Sequence, residues 1–243
     1  ATLAAFGATR RASSTASSDP LTRALLDAET EVVCVVAKSH DEHVLRALRT
    51  DLSENLAMIA DTVSFLTGEG RRVFVDAEHF FDGYRANAAY ALQVVEVAAQ
   101  AGAEVVVLCD TNGGMLPSQM GEVVAAAVQG GAHIGIHCHN DTGCAVANSL
   151  AAIEAGAMHV QGTINGHGER TGNADLITVA ADLSLKYGWP VLSDESLARS
   201  TAVSHAVAAI THVAPNPRQP YVGASAFAHK AGLHGSAIKV DAN

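Results

Sequence analysis

The chain has no Cys-x-x-Cys pair. Its four cysteines, Cys34, Cys109, Cys138 and Cys144, are scattered. That argues against a disulfide framework and favours small buried hydrophobes of a reducing compartment. Basic charge is also scarce: Lys and Arg number 15 against 25 Asp and Glu, a formal net charge of −10. Such a balance argues against a nucleic-acid surface or an anionic membrane as partner. No apolar run reaches the ~18 residues of a spanning helix. The N-terminus lacks the pattern of charge, apolar core and cleavage site of a signal peptide, so a cytoplasmic protein is expected. No Gly-x-Gly-x-x-Gly follows the first β-rich run, which weakens a dinucleotide-binding reading.

What is present is a chain of 243 residues, 49% hydrophobic and 16% charged. That is enough for one sizeable domain with its own core. Short β-rich runs at 2–7, 31–37, 72–77, 104–109, 133–137 and 158–163 predict strands. Ala-rich stretches with helical spacing alternate with them at 19–28, 40–48, 53–67, 84–101, 117–129 and 143–155. Asp19-Pro20 is a helix start, and Gly102 and Gly156 are stops. Six βα units in series imply a parallel sheet covered by helices.

An open doubly wound sheet and a (β/α)8 barrel both satisfy that series. Polar groups recur at successive strand ends: Lys38, Glu78-His79, Asp110-Thr111-Asn112, the run from His137 to Asp141, and Asn165. Many strands contributing to one end suits a barrel mouth. The chain starts at Ala1 inside an apolar run and is expected to be cut from something longer. The expected architecture is an α/β TIM barrel, truncated at the N-terminus with its first two strands missing. Residues 1–213 form the partial catalytic barrel, strands three to eight, with a helix at 194–212. Residues 214–243 form a linker and the start of a C-terminal subdomain.

His137 and His139 alternate with Ile136 and Cys138, so strand period puts both imidazoles on one face. Two neutral imidazoles about 6–7 Å apart along a strand can share one divalent ion. A hydrogen-bonded pair without metal satisfies the same spacing. Asn173, in the Gly-rich stretch 165–173, offers an oxygen that could join a metal shell, and Glu169-Arg170 an orienting ion pair. Asp76 and Glu78 share a face, and a carboxylate in a barrel mouth can act as a general base. Thr111 with Asn112 could hold a substrate carboxylate, or simply shape a turn. His229 and His234 lie on a Gly-flanked stretch beyond the barrel, able to serve as acid or base or to sit at the surface.

Together the stretches DAEHFFDGY (76–84), LCDTNGG (108–114), HCHNDTGCAVANSLAAIEAGA (137–157), VQGTINGHGERTGNA (160–174) and QPYVGASAFAHKAGLH (219–234) resemble the acyl-condensing metallolyase barrels. These are the isopropylmalate, homocitrate and citramalate synthases, with hydroxymethylglutaryl-CoA lyase as a cousin. Phe6-Gly7-Ala8-Thr9-Arg10-Arg11 is similar to a stretch of the citramalate synthase branch. The resemblance implies His137, His139 and Asn173 around a divalent metal (Zn, Mn or Mg). It implies Glu78 and His234 in proton handling and Thr111 on the 2-oxoacid carboxylate. It also implies acetyl-CoA as co-substrate, pyruvate as the 2-oxoacid, and a homodimer in which the segment around His234 reaches the neighbouring active site. The family's Asp-x-Thr-Leu-Arg-Asp-Gly motif, which supplies a third metal ligand and an Arg, is absent here, as is its C-terminal regulatory domain. Three other readings stay open: another 2-oxoacid, a His-x-His metal-dependent hydrolase, and a non-catalytic barrel.

Overall fold

The computed structural model describes residues 2–229, 231 and 236. Six strands form one parallel sheet: β1 (Ala4–Ala8), β2 (Val32–Lys38), β3 (Arg72–Glu78), β4 (Val105–Asp110), β5 (Ile134–Cys138) and β6 (His159–Gln161). Their order is β1-β2-β3-β4-β5-β6, each strand paired in parallel with its neighbour in sequence. A doubly wound sheet reverses its order at a switch point. This one never does, so the six strands are part of a (β/α)8 barrel.

The helices between the strands are α1 (Pro20–Asp27), a turn α2 (Asp41–His43) running into a π-helical segment (Val44–Leu48), α3 (Leu52–Gly68), α4 (Phe80–Gln100), α5 (Pro117–Val128) and α6 (Ala145–Glu154). The α1 start is the one the sequence announces. The Asp19 carboxylate accepts from the N–H groups of Leu21 and Thr22, and Pro20 occupies the first turn, where no N–H is needed. Within α4, Asn87 leaves helical geometry at φ −152° and its Oδ1 accepts from Tyr90 N at 3.2 Å. Asn87 thus caps the second part of that helix from inside it.

The strand parities separate two environments. Val33, Val35, Val73, Val75, Leu108, Ile134 and Ile136 are buried on the helix-facing side. The other parity lines the barrel interior, where Phe74, Val105, Val107 and Cys109 form one apolar cluster. The register stacks this interior in layers, as barrels do. One layer contains Val36, Asp76, Val107, Gly135 and His159. In the layer at the strand ends, Lys38 stands opposite Glu78, and His137 stands between Cys109 and Gln161. Gln161 reaches from β6 to Asp76 on β3 and Cys34 on β2, strands that are not its neighbours, which only an inward-facing row permits.

Two compact units emerge from the contacts: residues 1–162 with 168–174, and residues 163–167 with 175–243. The first holds the sheet and α1–α6. In the second, α7 (Leu176–Leu185), α8 (Asp194–Ala198) and α9 (Ser200–Thr211) accompany a 3-10 turn (Ile164–Gly166). Asn165 organises that unit: its amide donates to Ser204 O at 3.0 Å, and its oxygen accepts from Ser204 Oγ and Gln219 Nε2. The helix expected at 194–212 is interrupted at Arg199, which closes α8 and opens α9. No described helix is long and apolar enough to cross a membrane.

Candidate metal centre at the strand ends

His137 and His139 leave the end of β5 with ring centroids 5.1 Å apart and planes tilted by 35°. Their backbone neighbours Ile136 and Cys138 are fully buried on the opposite parity. Asn173 joins them through the backbone: it pairs with His139 in an isolated antiparallel bridge. Two further bonds, Ala174 N to Cys138 O at 3.0 Å and Asn140 N to Gly172 O at 2.9 Å, hold the strand end and the 168–174 loop together. Gly168 is required at the same place. A Cβ there would collide with the Asn173 amide, so only glycine lets the loop lie against that side chain.

Burial, then the neighbouring His137 and Arg170, lowers the His139 pKa, which favours the neutral imidazole. Its Nδ1 is buried with no hydrogen-bond partner among the described residues. A buried, unpartnered ring nitrogen beside a second imidazole, with Asn173 bridged to the same stretch of backbone, is a donor set that a divalent ion would satisfy. The residues present therefore fit a metal. No set of three His, Cys, Asp or Glu side chains arranged to hold one occurs among the described residues.

Glu78 ends β3 and pairs with the Lys38 ammonium from the neighbouring strand β2. It does not pair with Arg71 or Arg72. Arg71 donates to the carbonyls of Thr30 and Leu26, and Arg72 bonds Glu31 and Glu104 at the far end of the sheet. Thr111 Oγ accepts from His79 N at 2.8 Å, which fixes the hydroxyl at the mouth with its proton left to donate. Asp110 serves the turn instead: its carboxylate accepts from Gly114 N and Met115 N. Burial raises the Asp110 pKa against those bonds. Asn112 donates to Asp82 at 2.7 Å.

Arg170 is the residue that sequence spacing underrated. It bonds Asp141 through Nε and Nη2, both at 2.8 Å, and donates to Thr111 O at 2.7 Å. One guanidinium thus ties together the loops after β4, β5 and β6. Its expected partner, Glu169, lies at 3.9 Å. Gly113, at φ +61°, packs so closely on Asp141 that a Cβ would stand 2.5 Å from Oδ2. Sequence reasoning also passed over Gln161, whose Oε1 lies 3.0 Å from His137 Nδ1. The available signal was its parity on the last strand, alternating with Val160. His229 is exposed, Asn165 belongs to the second unit, and His234 lies outside the described residues.

The chain is 62% identical to the (R)-citramalate synthase of Streptomyces coelicolor over 242 residues, 99% of this chain and 45% of that protein. It is 50% identical to the (R)-citramalate synthase of Synechocystis over 98% of this chain and 45% of that protein. The chain thus spans about half the length of these relatives. The crystal structure of hydroxymethylglutaryl-CoA lyase from Pseudomonas aeruginosa superposes with a TM-score of 0.69 at 18% identity, over 93% of this chain and 72% of that one, a likeness of fold. The HMGL-like family profile matches residues 8–207, most of the sheet and its helices included, and the chain belongs to the HMGL-like family.

Proposed function

We propose that the protein carrying this chain condenses acetyl-CoA with pyruvate and water, giving citramalate and CoA. The carrying observation is the His137–His139 pair at the end of β5, on the inward parity, with Asn173 bridged to His139. High identity to two (R)-citramalate synthases supports the choice of pyruvate. In this reading residues 1–213 are part of the catalytic barrel, its strands three to eight, and 214–243 lead into a further subdomain of a homodimeric enzyme.

His137, His139 and Asn173 would hold a divalent ion, Zn, Mn or Mg, completed by a carboxylate from outside these residues. That ion supplies Lewis-acid polarisation of the 2-oxo carbonyl. Thr111 presents a hydroxyl that donates to the 2-oxoacid carboxylate. Arg170 does not touch substrate in this scheme; it fixes the Thr111 loop against the His139 loop. Glu78, held by Lys38, moves a proton at the mouth, taking it from the acetyl methyl or returning it to the new hydroxyl. His234 is the second candidate for that exchange. Thioester hydrolysis then releases CoA.

The test is an assay of the intact protein with pyruvate, 2-oxoisovalerate and 2-oxoglutarate. Pyruvate is expected to be preferred, and preference for either of the others overturns the substrate assignment. His137→Ala should abolish turnover with the circular dichroism spectrum unchanged; wild-type turnover in that variant would remove the site.

A further inference from the structure

Gln161 lies beside His137 in the sheet register, and its side chain carries a donor end and an acceptor end. Nε2 donates to Asp76 Oδ1 at 2.9 Å, across the barrel interior. Oε1 faces His137 Nδ1 at 3.0 Å. The orientation of an amide follows from its partners. Asp76 is 7% exposed, and its Oδ1 accepts from the Gln161 amide. It therefore demands the NH2 end and turns the carbonyl end to His137. Facing a carbonyl oxygen, Nδ1 must be the protonated nitrogen. A neutral imidazole has one N–H, so its lone pair then sits on Nε2.

We propose that Asp76 and Gln161 are positioning residues that lock His137 in the Nδ1–H tautomer and so aim the Nε2 lone pair at the metal. This rests on the metal-site reading above. It makes the two histidines unequal. The tautomer of His137 is set by the protein before metal arrives, whereas His139 has no such partner on Nδ1 among the described residues. It also gives a purpose to a buried carboxylate, Asp76, that the condensation does not otherwise use. The opposite tautomer would set two lone pairs face to face at 3.0 Å. Hydrogen bonds of this kind to a metal-binding imidazole change metal affinity by roughly 10–100-fold when removed.

The experiment uses the intact protein, stripped of metal and labelled with 15N at histidine. The His137 resonances, identified by their loss in His137→Ala, report the tautomer; Zn2+ affinity is read by competition with a chelator. The wild type should show Nδ1–H. Gln161→Leu should lose that preference and bind Zn2+ roughly 10–100-fold more weakly. The exchanged pair Asp76→Asn/Gln161→Glu restores the donor-to-acceptor sense of the chain. The amide introduced on β3 can donate, and the carboxylate introduced on β6 can accept from both sides. That pair should recover wild-type affinity. A wild-type Nε2–H tautomer overturns the proposal without any variant, even if Gln161→Leu fails to fold. So does a folded Gln161→Leu with unchanged tautomer and affinity, or an exchanged pair as weak as Gln161→Leu. Zn2+ affinity unaltered in His137→Ala would instead remove the metal site itself, and the tautomer in the metal-free wild type would still decide the role of Gln161.

Discussion

Replacing Asp19 with Asn should weaken the protein at neutral pH and leave it nearly unchanged near pH 2. The Asp19 side chain is fully buried at the start of α1. Burial alone would raise its pKa. Bonds from the Arg11 guanidinium and from the N–H groups of Arg11, Thr22 and Leu21 outweigh burial and bring it from 3.8 down to about 2. A carboxyl whose pKa is depressed on folding stabilises the native state at pH values above its unfolded pKa, and that stabilisation is lost as pH falls from about 4 towards 2. The difference is worth about 2 kcal/mol when the group is ionised. Arg11 itself is largely exposed, and solvent screening of that partner reduces the figure to about 1–2 kcal/mol. Asn keeps an oxygen for the Leu21 and Thr22 N–H groups but loses the charge that Arg11 seeks. Urea denaturation followed by circular dichroism, on wild type and Asp19→Asn from pH 7 to pH 2, should therefore give two stability curves that converge with acid. A gap that persists undiminished to pH 2, or no gap at pH 7, would refute the reasoning.

Three further outcomes follow from other parts of the barrel. Arg170→Lys cannot reproduce a fork that holds Asp141 and Thr111 O together; the KM for the 2-oxoacid should rise roughly tenfold while the fold persists, as steady-state kinetics and circular dichroism will report. Gly168→Ala forces the Asn173 amide aside; Zn2+ affinity measured by chelator competition should fall at least about tenfold. Burial first, then nearby carboxylates, pushes the Cys34, Cys109 and Cys138 thiols up; thiol titration of the native protein at pH 8 should modify Cys144 alone, and all four cysteines once urea is added.

Much of the barrel is legible in the sequence because its signals are local. Short β-rich runs place all six strands, and Asp19-Pro20, Gly102 and Gly156 mark a start or an end of three of the helices. The His137–His139 alternation alone puts both rings on one face. Two helices end differently for reasons that periodicity does not carry. The 40–48 stretch tightens into a π-helical segment closed by Arg49 at φ +56°, and the 194–212 stretch breaks at Arg199. The contacts that shape the site are illegible for another reason. Gln161 meets Asp76 across 85 residues, and Arg170 meets Thr111 across 59. Such pairings depend on barrel closure and shear, which no window of sequence contains. Gln161 also carries no chemistry of its own; it matters only through what stands on either side of it.

The unbroken strand order has a consequence for how the protein is made. Each described strand after β1 pairs with the one synthesised just before it, so the sheet can be laid down in the direction of translation. None of the pairings from β1 to β6 waits for a distant partner, and each addition closes a loop of one βα unit; the closing contact of the barrel is the exception. Loop-closure entropy grows slowly with length, and a sheet built from such short steps never meets the longest closures until its last contacts form. Until each next strand emerges, however, the growing sheet ends in a row of unpaired amides and carbonyls, the surface most prone to pair with another chain. Assembly on the ribosome thus exposes a succession of temporary edges, those of β1 to β5 each covered by the strand that follows it.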